Sequence, residues 1–313
     1  MFDTIHFRLK QSDLPGRVDF LGDLPGLLTD VATTERDNGE IWVKGYLGNL
    51  TITANPFSMF VGYGSLCKWF LGDNFKALGL GDTKQAIECL SDMLHLPMSK
   101  AAITRVDVGG NFIMRYPARV YFDHLGDLRA TKRLQQPDGV YYSQSAKQAV
   151  FYDKIREERK HREPIPELYA GKNVLRYENR ILGRLPKVLG VPEVRAEMLY
   201  QRGFYNTLLK RWGDTYKAIH KISNTIIDFK MVTTKKDLYK WALLGQIESI
   251  GGQAEMLRQI AEAQQRGDLT NKQAHDLRAA VKVACKVDGL MATESDVIQE
   301  LDRKVTEAVK MYS

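Results

Sequence analysis

Three short stretches of this chain each place two polar side chains two residues apart: Arg105 with Asp107, Tyr152 with Lys154, and Arg176 with Glu178. Arg180 follows another two residues on. In a strand, residues i and i+2 point to the same side, so each pair would lie on one face. Neighbouring strands are about 4.8 Å apart. Side by side, the three would gather carboxylates, arginines, a lysine and a phenol on one patch. Asp3 could reach the same patch as Asp107, although on spacing alone it reads first as a strand-end carboxylate in water.

Such a patch suits phosphoryl transfer. A phenol can be a nucleophile and form a covalent intermediate. Carboxylates can hold a hard cation such as Mg²⁺ or Mn²⁺, which would polarise a phosphodiester and favour the phenolate. Arginine and lysine would offset charge on the transferring phosphate. The histidines, His6, His95, His124, His161, His220 and His275, are scattered and form no metal-binding pair. Each reads as structural or solvated. Gly62 and Gly64 are not a nucleotide loop, because no helix or Gly-rich continuation follows in the required order.

The elements that must position these residues follow from periodicity. Residues 102–112 read as a strand with Thr104, Val106 and Val108 on one face and Ile103, Arg105 and Asp107 on the other. A helix is expected over the apolar face. Residues 2–9 alternate with Asp3, Ile5, Phe7 and Leu9 together. Residues 149–155 are expected to carry Tyr152 and Lys154 on one strand face. Residues 174–181 set Arg176, Glu178 and Arg180 opposite Leu175, Tyr177 and Ile181.

Residues 11–38 read as loop with a short helix. Residues 40–46 and 50–54 read as a hairpin around Gly48-Asn49. Strands are expected at 58–63 and 65–71, a helix from Asp82 or Thr83 to about 96, and another opening at Pro117. Residues 139–145 and 147–155 form a second expected hairpin. The charged run 156–162 reads as a solvated helix face within reach of phosphates. Helical spacing then covers 193–203, 204–222, 235–249, 254–266, 270–286 and 294–311. Strands followed by helices predict an α+β fold: a mostly antiparallel central sheet flanked by helices, then a helical C-terminal region. The expected division is a catalytic domain over 1–190 and a DNA- or partner-binding helical domain over 191–313.

The chain has 313 residues and a formal charge of +7, with a sequence pI of about 9.1. That balance fits a polyanionic partner but is weak support alone. Cys67, Cys89 and Cys285 lack metal-type spacing and read as thiols of a reducing compartment. With no leader-like segment and no long apolar run, a soluble cytoplasmic protein, without a membrane partner, is expected.

The motif stretches also carry a resemblance. Ile103-Thr104-Arg105-Val106-Asp107, Phe151-Tyr152-Asp153-Lys154 with Glu157 beyond, and Leu175-Arg176-Tyr177-Glu178 resemble, in order and spacing, the gene II/X replication proteins of filamentous phages. They also look like the related rolling-circle plasmid initiators. Phe2-Asp3, Gly64-Ser65-Leu66-Cys67-Lys68 leading to Gly72-Asp73-Asn74, and Leu189-Gly190-Val191-Pro192 support the match over roughly residues 1–200.

The resemblance implies an origin-specific nicking and closing enzyme. Tyr152 would attack the origin strand, keep the DNA 5′-phosphate and release a 3′-hydroxyl primer. Asp107 and Glu178, with Asp3, would hold Mg²⁺ or Mn²⁺. Lys154, Arg105 and Arg176 would position phosphate, and Lys68, Arg156, Lys160 and Arg180 would contact DNA. Origin DNA, a host helicase and a host polymerase would be the partners, and a homodimer is admitted. The chain lacks the His-hydrophobe-His motif of many rolling-circle endonucleases, so the cation would rest on carboxylates alone. Tyr141 and Tyr142 are rival nucleophiles. A non-catalytic origin-binding protein and a hydrolytic metal-dependent nuclease are the alternatives.

Overall fold

Alternating burial along the strands explains the sheet. The computed structural model describes residues 1–222, 232–285 and 296–313. The described residues form one ten-stranded antiparallel sheet: β1 (Phe2–Lys10), β2 (Thr29–Glu35), β3 (Ile41–Leu47), β4 (Leu50–Asn55), β5 (Ser58–Gly62), β6 (Ala102–Met114), β7 (Lys132–Gln136), β8 (Gly139–Ser143), β9 (Lys147–Asp153) and β10 (Asn173–Ile181). Their order is β2-β3-β4-β5-β1-β6-β10-β9-β8-β7. The strands with the three polar motifs, β6, β10 and β9, are neighbours, which is the arrangement that would gather the motifs on one patch.

The helices are α1 (Leu24–Leu27), α2 (Leu66–Leu71), α3 (Leu80–Leu94), α4 (Ala118–Phe122), α5 (Lys154–His161), α6 (Leu185–Leu189), α7 (Arg202–Ala218), α8 (Lys235–Ser249), α9 (Gln253–Gln265), α10 (Asn271–Ala284) and α11 (Asp296–Tyr312). The expected α+β fold with a helical C-terminal region is the one observed.

From β3 to β8 in the sheet order, one face is core. Val43, Ile52, Val61, Phe7, Val106, Tyr177 and Phe151 are all buried there. The expected helix over the apolar face of β6 is α7. Tyr177 stacks on Phe151 with ring centroids 4.3 Å apart and on Trp212 of α7 at 5.1 Å. Its hydroxyl donates to the Trp212 carbonyl at 2.9 Å, which satisfies a polar atom inside the core.

Some elements differ from the sequence expectation. Residues 66–71 are α2, not a strand. The Ser65 hydroxyl caps it by accepting the Lys68 N–H at 2.9 Å, and Gly72 closes it in the left-handed region at φ 85°. β2 lies where a loop was expected, and β7 where no element was expected. The expected helix at 193–203 is instead the short 3₁₀ turn Ala196–Tyr200 followed by the start of α7 at Arg202. The expected helix limits at Lys286 and Glu294 lie outside the described residues.

The chain divides into a unit of Met1–Ile222 with Val297–Ser313 and a second unit of Ser223–Asp296. The compact units therefore do not part at residue 190. The reason is that α7 covers the sheet and α11 joins it. Leu301, Val305 and Ala308 are part of the sheet's core, and the Tyr216 hydroxyl donates to Asp302. A Cβ at Gly213 would sit 2.9 Å from Val309 Cγ2, so the missing side chain lets α7 and α11 approach closely. The second unit has its own core, with Ile247, Ile260, Ala274, Val281 and Ala284. Among the described residues no helix is long and apolar enough to cross a membrane.

Candidate active site

Strand pairing brings the polar motifs together on the second face. Arg180 lies opposite Asp107, Glu178 opposite Gly109 and Arg176 opposite Asn111. On the other side of β10, Arg176 lies opposite Tyr152. Two glycines make room. A Cβ at Gly109 would meet Glu178 Cγ at 2.7 Å, and one at Gly139, opposite Tyr152, would meet Tyr152 Cβ at 3.3 Å.

Asp3 reaches the cluster through a bulge. Phe2 pairs with Val108 and Ile5 with Val106, so Asp3 and Thr4 together oppose a single residue of β6. Asp3 thereby leaves the face of Ile5, Phe7 and Leu9, where simple alternation placed it. A second irregularity sets Ile103 opposite Phe7 and Arg105 opposite His6. Ile103 therefore turns into the core instead of sharing a face with Arg105.

The side chains form a continuous network. Glu178 accepts hydrogen bonds from Arg176, from Arg180 Nε at 2.7 Å and from the Tyr152 hydroxyl at 2.9 Å. Arg105 grips Asp107 with two bonds, at 2.9 and 2.6 Å, and Arg180 Nε stands 4.0 Å from the same carboxylate. Arg176 also binds Asp3 at 2.8 Å, the Asn74 carbonyl at 2.8 Å and Asn111 Oδ1 at 3.2 Å. The Ser65 hydroxyl donates to Asp3. Asp3, Asp107, Arg176 and Glu178 are all buried. Interleaving each carboxylate with arginine is what makes that burial tolerable.

The electrostatics follow from this packing. Burial pushes the Tyr152 phenol well above its ordinary value, and the Glu178 charge adds to the effect. Burial would also raise Glu178, but Arg176 and Arg180 outweigh it and hold the carboxyl below the usual range. Asp107 goes the other way: burial lifts it to about 6, with Glu178 adding and Arg105 opposing. At neutral pH the resting pair is thus a neutral Tyr152 phenol donating to an ionised Glu178.

Beside this pair lies a cleft of about 190 Å³ lined by Tyr152, Tyr141, Asp138, Asp153, Glu157, Lys160, His161 and Arg180. Of the expected DNA contacts, Arg180 and Lys160 line it. Lys68 instead pairs with Glu163, and Arg156 is exposed on α5.

Lys154 is not beside Tyr152. β9 ends at Asp153, whose carboxylate caps α5 by accepting the Arg156 N–H at 3.0 Å. Lys154 opens that helix, is fully buried, and pairs with Glu157 at 2.7 Å and with Glu158. Tyr142 lies on the core face with its hydroxyl donating to the Gly126 carbonyl at 2.7 Å, which removes it as a rival nucleophile. Tyr141 remains in the cleft.

Sequence reasoning passed over Asn111, Ser65 and His161. Asn111 continues the period-two row of Arg105 and Asp107 and was open to that signal. Ser65 had none, because its link to Asp3 joins distant parts of the chain.

Asp3, Asp107 and Glu178 offer hard oxygen donors of the type Mg²⁺ or Mn²⁺ prefers. As placed, however, each is held by arginine. Among the described residues no three His, Cys, Asp or Glu side chains group to hold a metal ion. The donor chemistry suits such an ion and the arrangement does not.

A family model described as the N-terminal part of a replication-associated protein, the phage gene II protein, matches residues 1–202. That span contains all ten strands and every member of the arginine–carboxylate cluster. A comparison with curated proteins finds no match. The chain belongs to the family of the filamentous phage gene II replication initiators and is a replication-associated initiator protein.

Proposed function

We propose that this initiator nicks one strand of its origin DNA through Tyr152 and later rejoins it. The observation that carries the reading is the Tyr152 phenol hydrogen-bonded at 2.9 Å to ionised Glu178, beside a cleft lined by Lys160 and Arg180. A phosphodiester entering the cleft draws Arg180 toward its charge. Glu178 then loses part of what holds its proton affinity down and takes the Tyr152 proton. The phenolate oxygen attacks phosphorus, a Tyr152–phosphate ester forms and the bond to the 3′-oxygen breaks. The proton held by Glu178 balances the one the 3′-oxygen gains. Reversal restores the strand.

Arg176, buried behind Glu178, orients the carboxylate and does not touch DNA in this reading. No step passes through Mg²⁺ or Mn²⁺, since the arginines occupy the carboxylates. Unwinding and extension from the 3′-hydroxyl fall to a host helicase and polymerase.

The test is incubation with a single-stranded origin oligonucleotide, with Mg²⁺, Mn²⁺ or a chelator, read on a denaturing gel. A covalent band lost in Tyr152→Phe supports the reading. A band that survives Tyr152→Phe and disappears in Tyr141→Phe transfers the role to Tyr141. Cleavage with no band at all indicates hydrolysis and overturns the proposal.

A further inference from the structure

The face that carries the cluster continues across β1, β5, β4 and β3, where Arg8, Tyr63 and Lys44 reach solvent beside the buried His6, Thr51 and Asn55. One row across these strands reads Arg8, Phe60, Thr53, Lys44. Arg8 and Lys44 are exposed and Phe60 and Thr53 partly so, while Phe7, Val61, Ile52 and Val43 on the reverse side are core. The row contains no carboxylate and no large aliphatic side chain. Its one large apolar group, Phe60, is aromatic.

That ring is built into place. His6, Phe60 and Tyr63 form a triangle with ring centroids 5.4, 5.2 and 5.3 Å apart. A Cβ at Gly62 would lie 2.6 Å from Phe60 Cζ and 2.8 Å from His6 Cδ2, so that glycine is the floor under both rings. Tyr63 is held at φ 55°, a left-handed conformation that costs a non-glycine residue about 1 kcal/mol. Its N–H donates to His6 Nε2 at 3.1 Å. Yet Tyr63 is 75% exposed, so no core packing offsets the strain. The strained backbone thus holds an exposed ring against two others, with a flat face toward solvent.

The charges line up with it. The Arg8 guanidinium lies 6.0 Å from the Phe60 ring centroid. Arg105, opposite His6, links this surface to Asp107 and through it to Arg180. From β3 to β9 the face spans six strand gaps, about 29 Å, enough for several nucleotides.

We infer that this open face is a stacking platform for the single-stranded DNA flanking the scissile phosphate. Bases stack on Tyr63 and Phe60, and phosphates follow Lys44, Arg8 and Arg105 toward Arg180 and Tyr152. Aromatic stacking with a basic track is the physics of sequence-tolerant single-strand binding. The inference rests on the nicking reading for its direction, but its test is independent of that reading.

The test uses the full chain carrying Tyr152→Phe, so that no covalent step intervenes, and a fluorescein-labelled single-stranded dT oligonucleotide read by anisotropy. Tyr63→Ala and Phe60→Ala should each weaken binding roughly five- to a hundredfold, and Tyr63→Phe should restore it. Lys44→Ala should make the salt dependence shallower by about 0.7 in log–log slope. No binding of dT by the parent overturns the platform, as does binding by Tyr63→Ala and Lys44→Ala within twofold of the parent. Loss of dT binding on Tyr63→Ala, where the chain with Tyr152 intact forms no covalent adduct on origin DNA, sinks the nicking reading and leaves the platform standing. Adduct formation with dT affinity indifferent to Tyr63 does the reverse.

Discussion

The two halves of the sheet put one alternation to opposite uses. Over β3, β4 and β5 the face opposite the core is partly open, and residues such as Lys44 and Thr53 meet water. Over β6, β10 and β9 that same face is itself buried, and its residues, Asp107, Arg176 and Glu178, meet one another. Polarity on an open face is nearly free, whereas on a closed face every charge needs a fixed partner. The difference teaches that the cluster is a single unit: its members depend on one another in a way that Lys44 and Arg8 do not.

The largest test of this contrast is Arg176→Met set against Lys44→Met. Arg176→Met takes from Asp3 and Glu178 the buried cation they share and should lower stability by about 3–5 kcal/mol, whereas Lys44→Met should stay within about 0.5 kcal/mol. Urea denaturation of both reads it, and equal losses would break the comparison. Next comes Gly109→Ala, where the added methyl meets Glu178 Cγ at 2.7 Å and the Tyr177 carbonyl at 2.8 Å. A loss of about 1–3 kcal/mol is expected, with a lower yield of covalent adduct. Gly62→Ala on the open half should cost less, because the ring edges in its way can turn.

Tyr152→Phe is smaller in stability, about 1 kcal/mol by thermal melting, because Arg176 and Arg180 still satisfy Glu178. Its adduct yield should nonetheless fall to zero. The finest test is a slope. Because Asp107 is lifted to about 6 in the folded chain, the folded state holds its proton more tightly than the unfolded state. The stability this contributes is fully present below the ordinary carboxylate value and is lost as pH rises through about 6. The melting temperature of Asp107→Asn should therefore gain on that of the parent between about pH 4 and 6, and run parallel to it above. A constant gap across that range would show that Arg105 neutralises Asp107 fully.

The central rows were legible because strand periodicity alone places Arg105 with Asp107, and Arg176 with Glu178 and Arg180. What the period could not show was where it is interrupted. The bulge at Asp3 and Thr4 reverses the side on which Asp3 lies, and Asp153 stops β9 by capping α5, which diverts Lys154. β2 and β7 escaped notice because they are the two edges of the sheet. With one side bare, Thr29–Glu35 is exposed along its whole length and has no buried alternation to detect. The platform was equally hidden, since His6, Phe60 and Tyr63 meet only through pairing of β1 with β5.

The return of α11 to the sheet unit sets a schedule for synthesis. Leu301, Val305 and Ala308 leave the ribosome only after the whole of Ser223–Asp296 has been translated, a delay of roughly 4–15 s at ordinary elongation rates. Through that interval the nascent sheet and α7 carry an uncovered apolar stripe around Gly213 and Tyr216. The newborn chain is then most open to chaperones and to aggregation, and α11 is the helix that closes it.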